Sequence, residues 1–124
     1  MSQISDLEAI TVKAGTDIFK EGDKELHFYI LQEGRVEIHT QNLKGTKVII
    51  AVIEQGEAFG EFSLLEQKPR SASATAITDC TFVKISGEAY EKLLSELPDW
   101  ANAMLKSLAS RLKYMNERLK GFTK

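Results

Sequence analysis

The periodicity of this chain changes once, and that change limits what it can fold into. From about Val12 to Ile85 the sequence is strand-like, with glycines at 15, 22, 34, 45, 56 and 60 as punctuation. In GRVEIHT, Val36 and Ile38 share one face while Arg35, Glu37 and His39 share the other, the alternation of a half-buried strand. VIIAVI, from Val48 to Ile53, is apolar on both faces and predicts a more deeply buried strand. CTFVKIS closes the series. Short strands at regular spacing with turns between them predict a sandwich or barrel.

Past Ser86 the pattern turns helical. Ser86 as N-cap, early acids and Pro98 as a stop predict a helix over residues 87–97. Pro98 also suits the first turn of a second helix, over residues 98–121. There Leu105, Leu108, Leu112, Met115, Leu119 and Phe122 recur at steps of three and four. Such a seam serves either to pack the helix on its own barrel or to pair it with a second copy, and a homodimer through this helix is the expectation. A helix of this length is marginal alone in water, so it must pack on something. A short helix around Ile4 to Ile10 is also predicted.

The 124 residues suit one domain over residues 1–124, with strands over about 11–86 and no effector domain after the last helix. A formal charge of -2 gives no electrostatic reason to expect nucleic acid as a partner. Cys80 is the one cysteine, so no internal disulfide can form. No apolar run reaches the length of a membrane span, and MSQISDLEAI lacks the plan of a signal peptide, which makes a cytoplasmic protein the expectation. The two histidines, His27 and His39, are in no ligand-spaced cluster, and Cys80 has no histidine near it in sequence. Neither a metal site nor catalysis is expected.

One stretch departs from ordinary strand composition. AFGEFSLLEQKPRSASATA, from Ala58 to Ala76, holds a glycine-flanked acid, a short apolar run, and a lone arginine heading a row of tiny residues. Gly60 permits close backbone approach, and EFSLLEQ can form one or two helical turns whose first N–H groups favour an anion. Arg70 offers a planar donor fork suited to phosphate. Glu61 is an acceptor able to hold a hydroxyl pair such as a ribose. If the segment after Arg70 is extended, Arg70, Ala72 and Ala74 share one face and Ser71, Ser73 and Thr75 the other, so small walls leave room for a ligand beside the arginine. The competing reading is a surface turn with Arg70 solvated and Glu61 in a surface ion pair.

The run Phe59-Gly60-Glu61-Phe62-Ser63-Leu64-Leu65, then Pro69-Arg70-Ser71-Ala72-Ser73, resembles the phosphate-binding cassette of the cyclic nucleotide-binding domain family. VKAGTDIFKEGD, FYILQEGRVEIH and IEQGEAFGE are similar to the family's opening strand, next hairpin and the turn before the cassette. The two C-terminal helices fall at the family's B and C helix positions. The resemblance implies a mainly β fold, a jelly-roll-like antiparallel β-roll flanked by helices, with a 3′,5′-cyclic nucleotide inside. By the same resemblance Glu61 accepts from the ribose 2′-hydroxyl and Arg70 pairs with the cyclic phosphate. Backbone N–H groups near Gly60, Phe62, Ser63 and Ser71–Ala72 complete the phosphate cradle, with the Ser71 hydroxyl as a further donor, and Ile38, Ile50 and Ile53 match apolar wall positions.

At the places where the family's bacterial regulators carry small hydroxyl residues toward adenine, this chain has Met115 and Asn116, with Arg111 a turn earlier. This departure leaves the base to Arg111, Met115 and Asn116, with cAMP favoured over cGMP as the commonest ligand of bacterial members. The implied function is a stand-alone receptor that signals occupancy through its last helix to an unnamed protein partner. The alternatives are a non-catalytic scaffold that keeps the roll, and the regulatory fragment of a larger protein.

Overall fold

Most loops carry the chain across the core to the opposite sheet, and one hairpin keeps two successive strands side by side in the same sheet. A computed structural model describes residues 8–122, without the side chains at 62, 65, 66, 112, 113 and 116–122. It resolves into two compact units, residues 1–87 and 88–124. In the first, β1 (Ala9–Val12), β8 (Cys80–Ser86), β3 (His27–Glu33) and β6 (Ala58–Phe59) form one sheet in that order. The other runs β2 (Asp17–Phe19), β7 (Ser73–Ala76), β4 (Val36–Gln41), β5 (Lys47–Ile53). The strand pairings in both are antiparallel. This is the β-roll that the resemblance implied.

Between the sheets lies a core of Phe19, Tyr29, Leu31, Val36, Phe59, Ala74, Ala76, Cys80 and Phe82. Its aromatic members pack face to face and edge to face: Tyr29 stacks on Phe59 at 5.1 Å between ring centres, and Phe82 meets Tyr29 edge-on at 5.1 Å. Rings of that size fill the space from one sheet and require small partners on the other. Ala74 and Ala76 supply them. The expectation that small walls leave room beside Arg70 applies to Ala72, which lines a cavity, whereas Ala74 and Ala76 are small to make room for these rings. The predicted alternation itself holds, with Ala72, Ala74 and Ala76 buried and Ser71 exposed.

Two other expectations are corrected. Val48–Ile53 is not deeply buried: β5 ends the order of its sheet, with β4 as its one strand neighbour among the described residues, and Ile49 and Ile50 are each 57% exposed. The helix expected around Ile4 to Ile10 gives way at Ala9 and Ile10 to β1, which pairs with β8 through Ala9↔Val83 and Ile10↔Phe82; its earlier residues lie outside those described. Gly34, between β3 and β4, has φ +96°, and a methyl group there would stand 2.5 Å from the Asp79 carbonyl oxygen. Only glycine satisfies both demands.

The second unit holds α2 (Gly87–Glu96), from Glu88 onward, and α3 (Asp99–Phe122). Pro98 separates them, and its carbonyl accepts from the N–H groups of Ala101 and Asn102. The Asn102 amide donates to Leu94 O at 2.9 Å, tying the start of α3 to the end of α2. Along α3, Leu108 and Met115 of the seam are exposed, together with Trp100 and Met104. The side chains of Leu112, Leu119 and Phe122 lie outside those described. Among the described residues no helix is long and apolar enough to cross a membrane.

Candidate functional site

Gly60 makes the site possible. It is the N-cap of α1 (Glu61–Glu66) with φ +80°, and it offers no side chain to cap the helix's first N–H groups. Helix N-termini left open in this way favour acceptors and negative charge. The helix closes with Gln67 in the left-handed region, φ 56°, whose N–H reaches Ser63 O. The Ser63 hydroxyl lies within hydrogen-bond reach of Glu25 O at 2.5 Å and Lys68 O at 2.8 Å. It pins the segment from inside, so Ser63 has only its backbone N–H to offer a ligand.

Arg70 is 3% exposed, too buried for the solvated surface turn weighed above. The turn at Gly22-Asp23 clamps its backbone: Gly22 N–H donates to Arg70 O and Arg70 N–H donates to Asp23 O, both at 2.8 Å. Its guanidinium lies over the Phe19 ring, 4.1 Å from the centroid. Nη1 donates to Gly60 O at 2.7 Å and Nη2 to His27 O at 2.8 Å. Nε is buried and has no hydrogen-bond partner among the described residues. A buried donor on a charged group left unpaired is costly, and it marks a place where an acceptor belongs.

Arg70 lines a cavity of about 140 Å³. Gly60, Glu61, Ser63, Ser71 and Ala72 line it as well, and Phe19, Ile38, Ile50, Ala51, Ile53 and Phe59 form its apolar wall. Nine of the predicted site residues thus meet in one cavity: Ile38, Ile50, Ile53, Gly60, Glu61, Ser63, Arg70, Ser71 and Ala72. Phe62 is the second residue of α1, with its side chain outside those described. Arg111, Met115 and Asn116 stand on α3, in the second unit, whereas this wall is built wholly from the first.

The neighbours of Arg70 that the sequence did not reveal are Glu25 and His27. Glu25 Oε2 is 3.6 Å from Arg70 Nη2 and 3.1 Å from His27 Nε2. No local signal marks them, because His27 is 43 residues from Arg70.

Burial pushes the Glu61 carboxyl above its ordinary value of 4.5, while its own backbone N–H and Arg70 pull it down more weakly. A carboxyl with a raised folded value favours the neutral form, so its contribution to stability is present at low pH and lost as pH rises through the folded value. Glu61→Gln is therefore expected to raise Tm at pH 7 without ligand, with the gain shrinking as pH falls toward 5. Paired thermal melts at pH 7 and 5 check this; a lower Tm at pH 7 defeats it.

A roll that sets a buried arginine and a half-buried carboxylate around one cavity defines a small-molecule-binding β-roll. Comparison with known proteins makes the class specific. The chain belongs to the family described as Cyclic nucleotide-binding domain, whose profile matches residues 9–96. It is 36% identical over 99 residues to the Cyclic AMP receptor protein of Thermus thermophilus, covering 80% of this chain and 46% of that one. It is 34% identical over 93 residues to the cAMP-dependent protein kinase regulatory subunit of Aspergillus niger, covering 75% and 22%. Among solved structures, the Thermus thermophilus Catabolite Activator Protein superposes with TM-score 0.77 at 32% identity, over 96% of this chain and 56% of that one. The chain spans half or less of the length of the curated relatives it matches.

Proposed function

We propose that this chain is a non-catalytic receptor for a 3′,5′-cyclic nucleotide, with cAMP favoured over cGMP. The observation that carries the reading is the buried Arg70 Nε, without a partner among the described residues, on a side chain that lines the cavity. In this reading the cyclic phosphate supplies the missing acceptor. Backbone N–H groups at Phe62, Ser63, Ser71 and Ala72, with the Ser71 hydroxyl, complete the cradle, and Glu61 accepts from the ribose 2′-hydroxyl. A buried anion needs this density of donors.

The cavity is roughly the size that admits a benzene ring, about 150 Å³. It suits the sugar phosphate, and the base then lies toward the mouth against Ile50 and Ile53. These side chains offer the base no hydrogen bonds, so reading of its edge falls to Arg111, Met115 and Asn116. The names of the relatives support cAMP: one is a cyclic AMP receptor protein, another a cAMP-dependent kinase subunit. The last helix carries the response to an unnamed protein partner, and the exposed Leu108 and Met115 support a homodimer through it. For ligand to act on that helix, it must bind the two helix arrangements with different affinity. No nucleic acid and no membrane enter this reading, which is of a cytoplasmic sensor.

Calorimetric titration tests it. One cAMP is expected per chain, with cGMP weaker by no more than about tenfold, the worth of one or two base-edge hydrogen bonds. If neither nucleotide binds, the receptor reading is lost. Light scattering on the same samples is expected to give a dimer, and a strict monomer at high concentration with and without cAMP removes the helix pairing.

A further inference from the structure

We infer that Glu25 and His27 are positioning residues behind Arg70, and that protonation of His27 tightens anion binding in the cavity by drawing the Glu25 carboxylate away from the guanidinium. The inference rests on the reading of the cavity as a cyclic nucleotide site, and it names what tunes that site.

Glu25 stands between two cationic or potentially cationic groups. Its Oε2 is 3.1 Å from His27 Nε2 and 3.6 Å from Arg70 Nη2. The longer distance shows an ion pair without a full hydrogen bond, so the carboxylate offsets the charge of Arg70 without fixing the fork. Orientation comes instead from Gly60 O and His27 O, both carbonyls held by the backbone. The carboxylate can therefore change its allegiance while Arg70 stays in place. An anion arriving in the cavity meets the Arg70 charge diminished by Glu25.

His27 decides how far. Its Nε2 also lies 2.8 Å from the Tyr29 hydroxyl. The groups that face it are Glu25 from the preceding loop, Tyr29 from its own strand, Lys84 from β8 and Arg70. Burial lowers its pKa below 6.5, Lys84 and Arg70 lower it further, and Glu25 opposes them. At neutral pH the ring is uncharged. As pH falls through the depressed value, the ring gains a charge beside Glu25, and the carboxylate pairs with it in preference to Arg70. Affinity for an anion then rises as pH falls. By linkage, a bound anion raises the proton affinity of His27 by the same factor.

The test is the cAMP dissociation constant between pH 5 and 8 for the wild type, His27→Gln and Glu25→Gln. Glu61, whose carboxyl is raised above 4.5 and lines the same cavity, adds a pH dependence common to all three proteins, so the readout is the ratio of wild type to variant at each pH. Relative to His27→Gln, the wild type is expected to gain about three- to tenfold in affinity from the alkaline to the acid end, the effect of one partly screened charge several ångströms away. Glu25→Gln is expected to follow the shape of the His27→Gln profile, and to bind at pH 7.5 about three- to tenfold more tightly than the wild type. A constant ratio of wild type to His27→Gln, or a Glu25→Gln profile parallel to that of the wild type, overturns the proposal. A second measurement needs neither ligand nor variant: in the free protein, the Arg70 Nε–H resonance should titrate with the same midpoint as the His27 ring. A resonance that ignores His27 overturns the proposal even where cAMP binds; one that follows His27 supports it even where cAMP fails to bind, and only the receptor reading then falls.

Discussion

Arg70→Ala is expected to weaken cAMP binding by at least about thirtyfold and up to a few thousandfold, the range for truncating one partner of a buried, hydrogen-bonded charge pair. The loss has two sources. The variant removes the charge that faces the anion, and it removes the Nε donor that has no partner among the described residues. Arg70→Lys separates the two, since an ammonium restores charge without a planar fork. It is expected to recover only a small part of the affinity. The substitution also touches the fold, because Gly60 O and His27 O lose their charged donor and Phe19 loses the group over its ring. A stability loss of about 2 kcal/mol is expected, or roughly 10 °C in Tm. Calorimetry at a temperature where the variant stays folded decides the matter: unchanged binding by folded Arg70→Ala removes the phosphate assignment.

Gly60→Ala is the second large effect, and Gly45→Ala is its internal control. Both glycines have φ +80°, so an alanine at either pays the left-handed penalty, about 1–2 kcal/mol. The added methyl meets nothing within 4 Å at Gly45. At Gly60 it stands 2.8 Å from Arg70 Nη1 and 3.1 Å from Phe19 Cε2. Phe19 is core and cannot retreat, so the guanidinium must give way and its bond to Gly60 O is lost. Gly60→Ala is therefore expected to cost about 1 kcal/mol more than Gly45→Ala. It is also expected to weaken cAMP binding by tenfold or more, while Gly45→Ala leaves binding unchanged. Chemical denaturation and calorimetry on the pair test this, and equal behaviour of the two variants defeats it.

What the sequence made legible was local. The change of period near Ser86 separates strands from helices, and the closeness of Glu61 and Arg70 to one turn follows from nine residues of chain. The resemblance carried the rest of the roll. What stayed hidden depends on neighbours distant in sequence. VIIAVI reads as buried on both faces because apolar pattern alone does not distinguish a central strand from an edge strand; the difference is the presence of a second neighbour. Ala74 and Ala76 look like vacant space until Tyr29, Phe59 and Phe82 are seen opposite them in the core. Ile10 has the spacing of a helix turn, and its pairing with Phe82 across the sheet decided otherwise. Glu25 and His27 carry no motif, and only the fold brings them to Arg70.

The edge position of β5 has a practical consequence. Between Lys47 and Glu54 it presents six apolar residues with high strand propensity, no proline and no charge. Such a segment at a sheet edge is a template for intermolecular stacking into fibres, with the flanking Lys47 and Glu54 as its gatekeepers. Variants that loosen the roll will show this first as turbidity on storage, ahead of any change in the far-ultraviolet spectrum. A single lysine at Ile49, on the exposed part of the strand, is the substitution to make before concentrating them.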